Sequence, residues 1–337
     1  MTVGGLKKIL VTGGSGMIGG AVLAKLLAAK NCLLRTQVRD RLAARAKLGS
    51  EMDITLVEFE QADFTRVGAQ EMQALTKDCD TVIHCAGLVH NEAAAYQEYE
   101  VVNVRATQLL AEACMATGVK TLIFLSTSAI YGKGPFKNVK EETAAQAKTP
   151  YAVSKITSEN YLQGLGGKIP RVIIIRPSLV FGEGDRGNML SLIKQVQKEE
   201  YVHVSGGVTP KSLIYSRDLA DAIVLAANKV PAGTHVFNVA NPQPVSTKEL
   251  VDTIAETLGV TKKFASVPEG LLKIGAGIAK TFMPGKVPVT PEQIEKMATE
   301  TTCSIDKFVQ TTGFAPHTDL KTSISKEVAW AKSNSLL

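Results

Sequence analysis

The sequence predicts an α/β protein: a doubly wound parallel sheet with a smaller C-terminal lobe. Three observations carry this. Short Val/Ile/Leu runs alternate with helical stretches from the N-terminus onward, as strands buried on both faces and separated by helices do. A glycine-rich turn, Thr12-Gly13-Gly14-Ser15-Gly16-Met17-Ile18-Gly19, lies between the first run and the first helical stretch. The alternation breaks at 181–213 and again from 241 on. Residues 1–180 with 214–240 are therefore expected to form one domain, and 181–213 with 241–337 a second, substrate-binding lobe.

In order, Lys8–Thr12 reads as the first strand and Met17–Ala29 as the first helix. Leu34–Val38, Ile54–Phe59, Thr81–Cys85, Thr121–Leu125, Val172–Arg176 and His235–Val239 follow as strands. Helices are expected at Val101–Thr117, Pro150–Leu165 and Met189–Lys198. Beyond Pro242 come helices, prolines and one weak strand signal. Leu271–Met283 is apolar but broken by two lysines and two glycines, which reads as a packed helix or lid before a membrane-surface contact.

Composition narrows the class. A chain of 337 residues, 45% of them hydrophobic, can bury a full core. The net charge of +6 is spread along the chain, which does not describe a nucleic-acid binder. Five cysteines without a CxxC pair fit a reduced, cytoplasmic setting better than a disulfide framework. Five scattered histidines lack metal-ligand spacing, so no metal is expected. No run approaches the roughly 18 apolar residues of a membrane span, and no signal peptide is recognisable.

Gly13, Gly16 and Gly19 have GxxGxxG spacing in a strand–turn–helix setting. Such a turn lets the backbone approach a diphosphate, and the helix N-terminus offers free N–H groups and partial positive charge. Gly13, Gly16, Met17, Ile18 and Gly19 are thus candidate dinucleotide contacts, and the sheet is expected to be Rossmann-type. At the end of the second strand an acid would accept from ribose hydroxyls, whereas a cation would meet a 2′-phosphate. Arg39 stands there, followed by Asp40, with Arg41 and Arg45 near. NADP is the expected cofactor, and Asp40 keeps NAD open.

Tyr151 and Lys155 are four residues apart behind Pro150, on one face of an expected helix. A free phenol, with a pKa of about 10, is a poor base at neutral pH. A neighbouring ammonium and a cationic nicotinamide would favour the phenolate. Hydroxyl partners lie in Leu125-Ser126-Thr127-Ser128-Ala129-Ile130-Tyr131-Gly132. The C-terminal end of a parallel strand faces the ligand crevice.

With these residues the chain resembles the extended short-chain dehydrogenase/reductase family, particularly its NAD-dependent epimerase/dehydratase branch, over nearly its whole length. His84-Cys85-Ala86-Gly87 looks like that family's strand-four segment, Asp63-Phe64 like its adenine contact and Asn103-Val104-Arg105-Ala106-Thr107 like its helix-four motif. Arg176-Pro177-Ser178-Leu179-Val180-Phe181-Gly182 matches RPxxVYG, with Phe181 replacing the usual tyrosine. Ile214–Ala222 resembles the segment ending in a DxAxA helix. The resemblance implies Thr127, Tyr151 and Lys155 as catalytic residues, with Tyr151 and Lys155 also touching cofactor. It implies Ala86, Gly87, Asn103, Pro177 and Leu179 as further cofactor contacts. Thr127, Asn188 in the Gly184–Leu190 loop and Lys211 would meet the substrate. A homodimer through the helices at 101–117 and 150–165 is implied as well.

Two departures stand out. No arginine follows Arg217, where many such epimerases clamp a nucleotide diphosphate, and Lys211 cannot form a bidentate fork. Arg39 is also unlike the acid of NAD-retaining epimerases. The leading expectation is an NAD(P)-dependent oxidoreductase or epimerase acting on a secondary alcohol or ketone of a nucleotide sugar. The alternatives are an NADPH-dependent reductase of a hydrophobic ketone, resembling dihydroflavonol reductases or 3β-hydroxysteroid dehydrogenases, and a non-catalytic NADP sensor.

Overall fold

A computed structural model describes residues 7–89, 95–272 and 291–337. Most of the Leu271–Met283 segment lies outside the described residues. The strands Lys7–Thr12, Cys32–Val38, Val57–Gln61, Thr81–His84, Thr121–Leu125, Arg171–Pro177 and Gly233–Val239 form one parallel sheet. It is ordered seventh, sixth, fifth, fourth, first, second, third. Strand order reverses between the first and fourth strands, which opens a crevice at their C-terminal ends. The Rossmann-type doubly wound sheet is therefore as expected.

Alternate side chains of each strand feed opposite faces. Ile173 and Ile175 join Val11, Val22, Ile83 and Phe237 in one core. Val172 and Ile174 join Leu10, Met72, Val82, Leu110 and Leu122 in the other. Both sets are almost fully buried, which is why these strands read as unbroken apolar runs rather than as alternating ones. A third core joins Phe181, Met189, Ile193 and Tyr215 to Val251 and Ile254 of helix Thr247–Leu258 and Ile324 of helix Leu320–Ser333. Helix Asp306–Thr312 instead returns to the large sheet, with the Phe308 and Phe237 ring centroids 5.4 Å apart.

Three expectations are corrected. The third strand begins at Val57 rather than Ile54, because the Asp53 carboxylate accepts from both the amide and the hydroxyl of Thr55 and makes 53–55 a turn. The helix expected from Val101 starts at Tyr96 and runs through a wide π-helical stretch, Glu100–Arg105. Beyond Pro242 the described residues hold three short strands, not one: Val245–Ser246, Ser266–Val267 and Thr301–Cys303. At two or three residues each, they are too short to show periodicity. Two of them pair with Pro210–Lys211 and Phe136–Val139 in a four-stranded sheet. Among the described residues no helix is long and apolar enough to cross a membrane.

Candidate active site

The glycine turn is closed by its neighbours. Gly13 has φ +68°, and a Cβ there would lie 2.9 Å from the Ala86 Cα. A Cβ on Gly19 would lie 2.2 Å from the Gly13 carbonyl oxygen. Only glycine fits at both positions. The helix Met17–Ala29 starts at Gly16, which supplies no side-chain cap, so its first N–H groups face the crevice for an anion to take. The Gly13 N–H donates to the Gln37 carbonyl and to its Oε1 (3.1 and 3.0 Å). Gln37, a buried residue that the sequence did not single out, thereby ties the turn to the second strand. The structure fits a dinucleotide diphosphate here. Lys47 adds a cation, its ammonium donating to the Ser15 carbonyl at 2.7 Å.

The basic cluster at the second strand separates into different jobs. Arg35 forks onto Glu58 at 3.0 Å and onto the carbonyls of Ala74, Leu75 and Lys77. Arg41 lies 3.8 Å from Glu60, and the Arg45 guanidinium stands 5.0 Å over the Phe59 ring. Asp40 accepts from the Ala43 N–H at 2.9 Å and so caps helix Arg41–Glu51. Arg39 is exposed and has no hydrogen bond or ion pair among the described residues. The Thr65 amide and hydroxyl hold the Asp63 carboxyl below the usual carboxylate range, while Phe64 is buried with its ring centroid 6.0 Å from that of His84.

At the fourth strand three expected residues meet. A Cβ on Gly87 would lie 3.1 Å from Asn103 Oδ1 and 3.3 Å from Lys155 Nζ. Asn103, within the π-helical stretch, accepts from the Leu88 N–H at 2.7 Å and donates to the Leu88 carbonyl and to Ser154 Oγ. A buried relay supports it. The Thr107 hydroxyl donates to the Asn103 carbonyl at 2.6 Å, so its oxygen accepts from His84 Nε2–H at 3.0 Å. His84 Nδ1 is then the acceptor for the Thr12 hydroxyl at 2.8 Å, and Thr12 Oγ1 accepts from the Ala86 N–H. Burial, with Lys155 near, holds the His84 imidazole down at about 3, neutral at working pH.

Helix Pro150–Gln163 opens with the Thr149 hydroxyl accepting from the Ala152 N–H at 3.2 Å and with Pro150 in its first turn. It places Tyr151 and Lys155 on one stripe. Burial pushes the Tyr151 phenol up to about 12, and the neighbouring Thr127 side chain partly offsets that push. The Lys155 ammonium donates to the Leu125 carbonyl at 2.8 Å and stands 4.8 Å over the Phe124 ring. Burial brings it down to about 8. These groups can hold and release a proton beside Gly87, at the rim of the crevice.

The remaining expected residues lie further out. Pro177 ends the sixth strand, and Leu179 begins a short strand that pairs with Leu213–Tyr215. Met17 packs near Gly184, where a Cβ would lie 3.4 Å from the Met17 Cα. Asn188 is exposed at the start of helix Asn188–Gln197, and Asp185 caps that start through the N–H groups of Gly187 and Leu190. Lys211 donates to the Thr299 carbonyl. The structure thus sets Thr127 near Tyr151, and Gly87 against both Asn103 and Lys155. No described bond joins Asn188 to them.

The profile of the NAD dependent epimerase/dehydratase family matches residues 9–240. The UDP-glucose 4-epimerase of Vibrio cholerae is 30% identical over 264 residues, 75% of this chain and 76% of that one. The decarboxylating sterol-4-alpha-carboxylate 3-dehydrogenase of Saccharomyces cerevisiae is 24% identical over 96% of this chain and 98% of its own. The solved UDP-glucuronic acid 4-epimerase of Bacillus cereus in complex with NAD superposes with a TM-score of 0.76–0.77. It is 21–22% identical, covering 97% of this chain and 99% of that one.

Proposed function

This chain belongs to the NAD dependent epimerase/dehydratase family, an NAD-dependent group of enzymes, and we propose that it moves hydride between a nicotinamide cofactor and a secondary alcohol or ketone. The cofactor would supply the hydride acceptor or donor. Gly13, Gly16, Met17, Ile18 and Gly19 would hold its diphosphate; Ala86, Gly87, Asn103, Pro177 and Leu179 would line its path. Tyr151 exchanges the hydroxyl proton of the substrate, Thr127 aligns the reacting oxygen, and Lys155 supplies the positive charge that favours the phenolate. The observation that carries this reading is the buried Lys155, whose ammonium faces Gly87, four residues along one helix from a Tyr151 phenol that has Thr127 as its neighbour. A non-catalytic sensor does not fit an enzyme of this family.

NADP is the cofactor we propose, because Asp40 is committed to its helix while Arg39, whose charge reaches the Asp63 carboxylate, is exposed just past the second strand, where a cation would favour a 2′-phosphate. As substrate we propose a nucleotide sugar, on the likeness to UDP-glucose 4-epimerase and on the Gly184–Leu190 loop with Asn188. A second reading, reduction of a hydrophobic ketone, is favoured by the lack of any arginine after Arg217 and by the likeness to the sterol dehydrogenase. A cytoplasmic homodimer through helices Ala106–Thr117 and Pro150–Gln163 belongs to the same proposal.

A thermal-shift screen with UDP-sugars, GDP-sugars and apolar ketones separates the substrate classes, since a ligand of the native state raises its melting temperature. With the substrate so found, Tyr151→Phe is expected to lower turnover about a thousandfold. Undiminished turnover in that variant refutes the mechanism.

A further inference from the structure

Tyr151, Lys155 and Glu159 stand at successive four-residue steps of helix Pro150–Gln163 and form one stripe. Three consecutive residues at the end of the fifth strand meet them. The Thr127 side chain neighbours the Tyr151 phenol, the Leu125 carbonyl accepts from Lys155, and the Ser126 hydroxyl donates to the Glu159 carboxylate. Strand end and helix are thus matched turn for turn.

Glu159 is 0% exposed, and its counter-ion is Arg176 on the neighbouring sixth strand. Arg176 Nε donates to both carboxylate oxygens at 3.1 Å, and Nη2 donates to Oε2 at 2.6 Å. Its Nη1 donates to the Tyr131 hydroxyl and the Glu141 carbonyl, both at 2.9 Å. Tyr131 in turn donates to Asn238 Oδ1 at 2.8 Å. One guanidinium therefore grips both the helix that carries Tyr151 and the segment that leads from Thr127 to it. Stability alone does not account for such a pair, because a well-packed apolar replacement is often as stable or more so.

We propose that Glu159 and Arg176 act together as a positioning unit for Tyr151 and Lys155, fixing the helix on the strand end and keeping the net charge beside the Lys155 ammonium at zero. The inference rests on the role given to Tyr151 above. From the end of the fourth strand and the residue after it, His84 and Cys85 face Lys155; the first stays neutral, and burial pushes the second up to about 12. The Tyr131 phenol, from the segment after the fifth strand, is also pushed up to about 12 by burial. Glu141 lies in that same segment, its carboxylate accepting from the Asn238 N–H. Tyr99 faces Tyr151 from the helix that begins at Tyr96, with ring centroids 6.2 Å apart.

The test reads Tyr151 ionisation directly, as near-ultraviolet phenolate absorbance of the full chain saturated with NADP⁺, taken as the difference from Tyr151→Phe. Glu159→Gln keeps the shape but leaves a guanidinium that cannot lose its proton. Eight helical residues rise about 12 Å, and a unit charge at that range, at an effective dielectric of about 20, moves an ionisation constant about tenfold. The Tyr151 midpoint is therefore expected to fall by about one pH unit in Glu159→Gln. Arg176→Lys, which keeps the charge and loses the fork, should stay within about twofold of the unaltered chain. The double variant Glu159→Gln/Arg176→Met, neutral and of similar bulk, should do the same, and it decides the matter if the single variant does not fold. An unmoved midpoint in Glu159→Gln overturns the proposal, as does a tenfold shift in either of the other two. If no phenolate titrates in the unaltered chain, the failure is instead that of Tyr151 as acid and base.

Discussion

Glu327 lies on helix Leu320–Ser333, is 0% exposed, and neither of its oxygens has a hydrogen-bond partner of ordinary geometry among the described residues. Burial pushes its carboxyl up to about 9, the nearby Asp185 and Glu183 add to this, and the Gly182 amide offsets a little of it. In the folded chain the group keeps its proton up to about pH 9, whereas in the unfolded chain it ionises above about 4.5. Between those limits the unfolded state binds fewer protons, so stability falls as pH rises, and the loss is complete above about 9. At pH 7 the loss spans about 2.5 pH units at about 1.36 kcal/mol each, or about 3 kcal/mol. Glu327→Gln has the shape of the protonated acid and no charge to lose. It should melt about 6 °C higher at pH 7, at about 2 °C per kcal/mol for a chain of this size. The gain should shrink to about 1 kcal/mol at pH 5 and vanish near pH 4. Melting curves of both proteins at these pH values check it. A gain that does not change with pH, or a lower melting temperature in the variant, refutes a protonated Glu327.

Arg39→Ala should weaken NADPH binding about tenfold to a hundredfold while leaving NADH nearly unchanged, the loss of a charge-assisted contact to one phosphate; fluorescence titration of both cofactors measures this, and equal losses discredit the contact. Gly19→Ala would bring its Cβ to 2.2 Å from the Gly13 carbonyl, so the turn must move. NADPH affinity should fall at least about a hundredfold for an overpacking strain of a few kcal/mol. Affinity within about twofold of the unaltered chain would show that the turn does not hold the diphosphate.

The large sheet and the cofactor crevice were legible because both are written in local chemistry. Ile173 and Ile175 had to be apolar for one face and Val172 and Ile174 for the other. Gly13 and Gly19 had to lack a Cβ. Pro150 and the spacing from Tyr151 to Lys155 marked a helix start and a shared face. What stayed hidden depends on pairings made only by the folded chain. Thr12, His84 and Thr107 are bonded across 72 and 23 residues of sequence, and nothing local marks Thr12 or Thr107 as links. Glu159 and Glu327 look like ordinary helix acids, and docking alone decides that both are buried. The four-residue step from Lys155 to Glu159 was the one available hint of the first.

The substrate end was harder to read for the same reason, and its geometry bears on the choice between substrates. The small sheet draws its strands from Phe136–Val139, Pro210–Lys211, Val245–Ser246 and Thr301–Cys303, each too short to announce itself. Its formation sets Lys211 against the Thr299 carbonyl. Lys211 has three donors and could meet a diphosphate while keeping that carbonyl, but it would present a point charge where an arginine presents a fork. An apolar ketone demands no such contact. If the proposed nucleotide sugar is the substrate, its diphosphate would be held here without the fork that an arginine supplies. Shortening a UDP-sugar to the free sugar would then cost less binding than it would where an arginine fork holds the diphosphate.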